Sequence, residues 1–322
     1  MHILIAGATG AAGRALIPHL IANGHTVTGT TRSAAKAEDI RALGASPQIM
    51  DGLDARSVKQ AVEAADPDVI VHQMTALTGI DMRNIDKAFA LTNRLRTEGT
   101  RHLIGAANGK LIVAQSFAGW PAARVGGPVK TEADPLDPNP PKGIRESHAA
   151  IRTLEALVTG AGGIVLRYGG FYGRGTGMAP DGEQVAMLRK RQFPLVGNGE
   201  GVWSFLHMSD LATATLAAIE KGRPGEIYNI VDDEPAPVRE WLPFLAEQVG
   251  AKPPRHIPKW LAKLAASPAA AMMMTESRGA SNAKAKAELD WTPAYPSWRK
   301  GLVEVLAGTK APTPETGSVR PM

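Results

Sequence analysis

The chain has no cysteine, which excludes disulfides, zinc–thiolate centres and cysteine nucleophiles. This suits the cytoplasm, the expected location. No apolar run is long enough to span a bilayer. The best candidate, Trp260 to Met274, is interrupted by Lys263 and Pro268 and reads as a core or interface helix. The N-terminal apolar run is short, lacks a basic leader and is not expected to be a signal peptide. The net charge is +5 and the pI about 9.4, but no dense Lys/Arg block exists. Without a basic stripe, nucleic acid is not an expected partner. No metal site is expected. Aromatic residues make up only 5% of the chain, and there are four tyrosines: Tyr168, Tyr172, Tyr228 and Tyr295.

What is present is a globular composition, 44% hydrophobic and 21% charged over 322 residues, enough for a large core. The chain opens with Ile3-Leu4-Ile5-Ala6-Gly7-Ala8-Thr9-Gly10-Ala11-Ala12-Gly13. A buried strand runs into glycines spaced by three, and a helix follows. At such a helix start, unpaired N–H groups and the positive end of the dipole favour phosphate. Gly7 allows the turn, Gly10 lets backbone approach a pyrophosphate, and Gly13 lets helix pack on strand.

Helical and apolar segments then alternate. Helices are expected at Arg14 to Asn23, with Pro18 in its first turns, and at Ala34 to Leu43, Ser57 to Ala65, Asn84 to Ala107 and Gly143 to Thr159. Strands are expected at His25 to Thr30, Pro47 to Met50, Asp68 to Met74, Lys110 to Gln115 and Gly163 to Arg167. This alternation predicts an α/β fold, a Rossmann-like doubly wound parallel sheet, with ligands at the carboxyl ends of the strands. Beyond Gly173, Pro and Gly become frequent, which predicts a smaller C-terminal substrate-capping lobe. The expected division is a nucleotide domain over 1–172, rejoined by 203–232, a capping lobe over 173–202 and 233–308, and a disordered tail over 309–322. Phe205 to Glu220 and Glu226 to Ile230 are expected to return to the sheet as strand, helix and strand.

The end of the second strand, Gly29-Thr30-Thr31-Arg32-Ser33, carries no acid to hold a ribose 2′-hydroxyl. Arg32 can fork onto a 2′-phosphate, with Lys36 one turn on, so NADP (NADPH) is expected over NAD. Asp51 is placed either to accept from the adenine amino group or to cap a turn. Together with Gly7, Gly10 and Gly13, the expected cofactor residues are Thr9, Ala11, Ala12, Thr31, Arg32, Lys36, Asp51, Gly52, Gln73, Met74, Thr75 and Ser116.

In order and spacing these segments resemble the extended short-chain dehydrogenase/reductase family, the NAD(P)-dependent epimerase/dehydratase group. The likeness runs from Met1 to about Leu306. It rests on the glycine loop, Val71-His72-Gln73-Met74, Ile112 to Trp120, Leu166 to Gly173, Ser204 to Ala212, and Leu289-Asp290-Trp291-Thr292-Pro293. The resemblance implies that Ser116 is the catalytic serine, and it implies a dimer built on the helices at Asn84 to Ala107 and Gly143 to Thr159. It also implies a tyrosine with a lysine four residues later, the acid/base pair of the family. No such pair exists in this chain. Aligning Glu155 with the family's glutamate puts Ser147 at the tyrosine position and Ile151 at the lysine position. Alternative proton sources are Tyr172, beside the nicotinamide in the matching segment, and His148, paired at i, i+4 with Arg152. The one-residue register shift turns His148 and Arg152 away from the expected cofactor side, which favours a solvent-facing pair. Tyr168 suits either the pocket or the core, and His207 suits the domain junction.

The expected function is an atypical NAD(P)-dependent oxidoreductase or epimerase/dehydratase-like enzyme acting on a small carbonyl or hydroxyl substrate. The alternatives are a non-redox isomerase, cyclase or lyase, and a non-catalytic NADP sensor.

Overall fold

The computed structural model describes residues 1–77 and 84–307, so the tail expected over 309–322 lies outside the described residues. Strands β1 (His2–Ala6), β2 (Thr26–Thr31), β3 (Ser46–Ile49), β4 (Val69–His72) and β5 (Leu111–Phe117) join Ile164–Tyr168 and Ile227–Ile230 in one seven-stranded sheet. The order is β3-β2-β1-β4-β5, then Ile164–Tyr168, then Ile227–Ile230, and every pairing is parallel. The order reverses between β1 and β4, where a doubly wound sheet opens its ligand crevice.

Helices cover both faces, so the central strands are apolar throughout. Ile3, Leu4 and Ile5 are all buried, although consecutive residues point to opposite faces. Ile3 and Ile5 pack with α1 (Ala11–Ala22) and the helix Met208–Lys221. Leu4 packs on the opposite face with α3 (Ala55–Ala65) and the helices around Leu103 and Leu154.

Four local expectations change. Helix α1 starts at Ala11, immediately after Gly10, so Pro18 lies at its exposed middle and not in its first turns. The long helix expected over 84–107 is segmented into Ile85–Ala88, Ala90–Arg94, a wide π-helical turn at Leu95–Gly99, and Thr100–Ala107. Of the strand–helix–strand return, only Ile227–Ile230 enters the large sheet, because Phe205–His207 pairs with Gly170–Tyr172 instead. Finally, Ala285, Leu289 and Trp291, expected in the capping lobe, join the core against Met208–Lys221. Their apolar side chains join the cluster that holds Leu211, Ala214 and Ala218 of that helix.

The second core is built from Phe205, Trp241, Leu242, Met274, Trp298 and Leu302, with aromatic rings in contact through Trp203, Trp241 and Phe205. Trp260 to Met274 divides into Lys259–Ala265 and Pro268–Thr275, the second capped by the Ser267 hydroxyl accepting from the Ala270 amide. No described helix is long and apolar enough to cross a membrane.

Candidate functional site

The glycine loop lies at the carboxyl end of β1. Gly7 has φ +95°, and a Cβ there would stand 2.8 Å from the Gln73 backbone. Both constraints demand glycine. A Cβ on Gly13 would lie 2.6 Å from the backbone of Ala8, so this glycine seats α1 on the loop. Gly10 differs: its Cβ would meet nothing closer than the Gly7 carbonyl at 3.5 Å. The protein itself leaves room there. No side chain caps the N-terminus of α1, and no acid lies in its first turn. An open helix start beneath an uncrowded glycine is a cradle for an anion, and the residues fit a dinucleotide pyrophosphate.

The neighbouring strand ends hold the loop in place. The amide of Gly7 donates to the Thr30 hydroxyl (3.2 Å), and that of Ala8 to the Thr30 carbonyl (3.1 Å). Arg14 donates to the Thr9 carbonyl and pairs with Asp39 at 2.7 Å. Thr31 is buried and accepts from the Ser33 amide, whereas Arg32 and Lys36 are exposed. Neither pairs with a carboxylate among the described residues. Asp51 caps its own turn, accepting from the Leu53 amide at 3.0 Å. Gly52 is pressed against Met74, whose Sδ would lie 2.4 Å from a Cβ, so its role is packing. Gln73 and Met74 are buried at the end of β4, and Thr75 is exposed beyond them.

Each of the expected catalytic residues is engaged within the fold. Ser116 stands at the end of β5, but its hydroxyl donates to Glu155 at 2.7 Å, and Arg167 forks onto the same carboxylate at 2.8 and 2.7 Å. All three residues are buried. Ser116 thus completes an internal ion pair, and its one proton is committed away from any substrate. Tyr172, expected in the nucleotide domain over 1–172, belongs to the second core. It is fully buried, lies against Gly301 and His207, and its hydroxyl has no partner. Burial first, then the nearby carboxylates of Asp232 and Asp210, push its pKa far above the ordinary phenol range. Its hydroxyl is held inside this core against Gly301, away from solvent, and is a weaker acid than a free phenol.

His148 is neither a free acid/base nor part of a solvent-facing pair. It is buried, edge-on to Trp120, and its Nε2 donates to the Pro121 carbonyl at 2.9 Å. A carbonyl only accepts, so the ring proton sits on Nε2. Burial lowers its pKa, favouring the neutral ring. Tyr168 is core: it sits between Gln73 (3.3 Å) and Thr215 (2.7 Å), and burial raises its pKa to about 12. His207 caps the helix Met208–Lys221 and stacks on Tyr295, as its place at the junction suggests.

The tyrosine position is firmly occupied. The Ser147 hydroxyl donates to Asp86 at 2.8 Å and accepts from Asn93 Nδ2 at 3.1 Å. Asp86 also accepts from the Ser147 amide at 3.0 Å. Ile151, at the lysine position, is fully buried. Asp86 and Asn93 were not found from the sequence, because they lie 61 and 54 residues from Ser147 and no spacing rule connects them. The Glu155–Arg167 pair was missed as well, although buried opposite charges must be matched in any fold.

Comparisons with known proteins identify the family and the fold. The model of the NAD dependent epimerase/dehydratase family matches residues 3–231. A Streptomyces protein named 3-diazoavenalumate denitrifying reductase is 42% identical over 308 residues, covering 94% of this chain and 99% of that protein. A Stigmatella aurantiaca protein named as a ketoreductase of 4-hydroxy-2-methyl-3-oxo-4-farnesyl-3,4-dihydroquinoline-1-oxide is 30% identical, covering 78% and 74%. UDP-glucose 4-epimerase from Thermotoga maritima superposes with a TM-score of 0.75 at 21% identity, covering 95% and 97%. dTDP-glucose 4,6-dehydratase from Bacillus anthracis, solved with NAD, gives 0.73 at 19%, covering 95% of each chain. These two structures share its fold. By the family match and by its close relatives, this chain belongs to the nicotinamide-dependent epimerase/dehydratase family.

Proposed function

We propose that this chain is an NADPH-dependent reductase whose acceptor takes a hydride without needing a proton from the protein. The observation that carries this reading is the state of the proton-relay positions: a serine locked by Asp86 and Asn93, and a buried isoleucine. Reduction of a ketone leaves an alkoxide that must be protonated, ordinarily by a positioned acid. None of the candidate acids, Ser116, Tyr172 or His148, is available for that work.

A diazo group on a phenolic ring makes no such demand. When bound, reduced nicotinamide supplies a hydride to the ring carbon. The carbon–nitrogen bond breaks, its electron pair leaves with dinitrogen, and the arene is released as its phenolate for water to protonate. The name of the Streptomyces relative describes this class of reduction, so an aromatic diazo acid or diazophenol is the substrate class that we assign. In this reading the protein's work is to bind, orient and exclude water. Gly7, Gly10 and Gly13 with the start of α1 hold the pyrophosphate. Exposed, unpaired Arg32 and Lys36 at the end of β2 hold a 2′-phosphate and favour NADPH over NADH. Trp120, Phe89 and Met273, partly buried around the small core of Ile85, Ile144, Ala269 and Met272, offer an apolar wall for a flat ring.

The test is anaerobic incubation with an ortho-diazophenol carboxylic acid and NADPH deuterated at the transferable C4 position. The expected result is one dinitrogen released per NADPH oxidised, with deuterium on the ring carbon that bore nitrogen. Turnover of ketones with the diazo acid left intact overturns the assignment.

A further inference from the structure

The π-helical turn Leu95–Gly99 carries a buried charge that no ion pair matches among the described residues. Arg96 is 5% exposed, forms no ion pair among the described residues, and its Nη1 has no hydrogen-bond partner. A buried N–H left unpaired on a guanidinium is costly, and here the charge is offset only in part, by the Phe89 ring and the field of the Glu155 carboxylate. Burial accordingly lowers its pKa to about 10, and its charge helps lower that of buried His72 at the end of β4. The side chain points back along its helix, toward the strand ends, with its guanidinium carbon 5.8 Å from the centre of the Phe89 ring two turns earlier.

One turn before Arg96 is a second orphan. Asn93 is 9% exposed and its Oδ1 has no partner. Its orientation is fixed by chemistry: Ser147 gives its only proton to Asp86, so it must accept from Asn93 Nδ2, leaving the amide oxygen unpaired. This stretch of helix therefore carries an unused donor and an unused acceptor that do not satisfy each other. A carboxylate would satisfy Arg96 and repel the Asn93 oxygen. A hydroxyl satisfies both, since it accepts and donates.

The turn also borders the strand ends. Leu95 packs on Met74, and the Ala76 amide donates to the Thr92 hydroxyl at 2.9 Å, which ties the segment after β4 to this helix. The helix Arg145–Gly160 packs against this turn and carries Ile151, where the family's lysine would hold the nicotinamide ribose. We infer that Arg96, with Asn93, binds the nicotinamide-ribose hydroxyls and so replaces the missing lysine as the clamp that fixes the reactive ring. Arg96 is a binding and positioning residue that orients the cofactor and transfers no proton. The wide turn is the structural device that brings it inward, as π-helical turns often do at functional sites. The inference rests on nicotinamide binding as proposed above.

The test compares NADPH with adenosine 2′,5′-bisphosphate, which keeps the adenine half of NADPH and lacks the nicotinamide ribose. Arg96→Met should weaken NADPH binding, read by nucleotide fluorescence, about 10- to 100-fold. Binding of the bisphosphate, read by calorimetry, should be unchanged, and the melting temperature of the ligand-free protein should not fall. Arg96→Gln, a milder change, should give a smaller loss in NADPH binding alone. Equal NADPH affinity in both variants and the parent overturns the inference, as does equal weakening of both ligands with a lower melting temperature. If the unaltered chain holds NADPH no more tightly than the bisphosphate, the nicotinamide half has no clamp and the inference falls. If it binds neither, the cofactor reading falls with it.

Discussion

Asp86 holds Ser147 twice, through the amide at 3.0 Å and the hydroxyl at 2.8 Å. The first turn of the helix Arg145–Gly160 is thereby fastened to the helix Ile85–Ala88 at the point where the family keeps its proton donor. Ser147→Ala should cost about 1–2 kcal/mol of stability, because Asn93 loses its acceptor in a buried setting. It should change the rate of diazo reduction by less than about threefold, since an interaction absent from the transition state does not alter turnover. Denaturant melts and steady-state rates check both, and a large loss of turnover would make Ser147 a participant.

Gly10 and Gly13 should separate binding from folding. Gly10→Ala meets no protein atom closer than 3.5 Å, so the melting temperature should hold while NADPH affinity drops at least about tenfold. Gly13→Ala collides with Ala8 at 2.6 Å and should lower the melting temperature by several degrees. Titration and thermal melts of the two variants give the contrast.

Arg32 sets the nucleotide preference in our reading. Arg32→Glu places an acid where a ribose 2′-hydroxyl would accept it and a 2′-phosphate would be repelled. The ratio of kcat/KM for NADPH over NADH should fall by about 10- to 100-fold, corresponding to about 1.4–2.8 kcal/mol. A ratio that does not move would locate the preference elsewhere.

Tyr172→Phe removes a hydroxyl that has no partner in the second core. Turnover should be unchanged and stability unchanged or higher by up to about 1 kcal/mol. Ser116→Ala should likewise leave measurable turnover, because Arg167 still forks onto Glu155. Its cost should be in stability, on the order of 1–3 kcal/mol for a hydrogen bond to a charged group. Abolished turnover in either variant, with the fold intact, would restore it to the chemistry.

Asp232 is buried, accepts from the Trp298 amide at 2.9 Å, and burial raises its pKa to about 8. Its folded-state value lies above its unfolded value near 4, so the folded chain binds the extra proton between these limits. Its stabilising contribution is full below about pH 4, is lost as pH rises to about 8, and stays flat above that. Asp232→Asn should flatten the decline in melting temperature between pH 5 and pH 8.5. A parallel decline in both proteins would assign it to other groups.

The sequence by itself determined the sheet and the binding half of the site. Apolar runs such as Ile3-Leu4-Ile5 and Val69-Ile70-Val71 have one stable place, a strand covered on both faces, and glycines spaced by three after the first run dictate the turn. Those signals are local and survive in one dimension. The absence of a tyrosine–lysine pair was equally legible, since it needs only a count. The tertiary structure alone decided what each polar side chain faces. Ser116, Tyr172 and His148 have the right chemistry at plausible positions, yet Glu155, Gly301 and Pro121, remote in sequence, turn all three inward. The orphaned pair Arg96 and Asn93 became visible only there, because an unpaired group is defined by every neighbour that the fold brings around it. Periodicity reports which face of a helix is apolar; partnership across 50 or more residues is decided by packing.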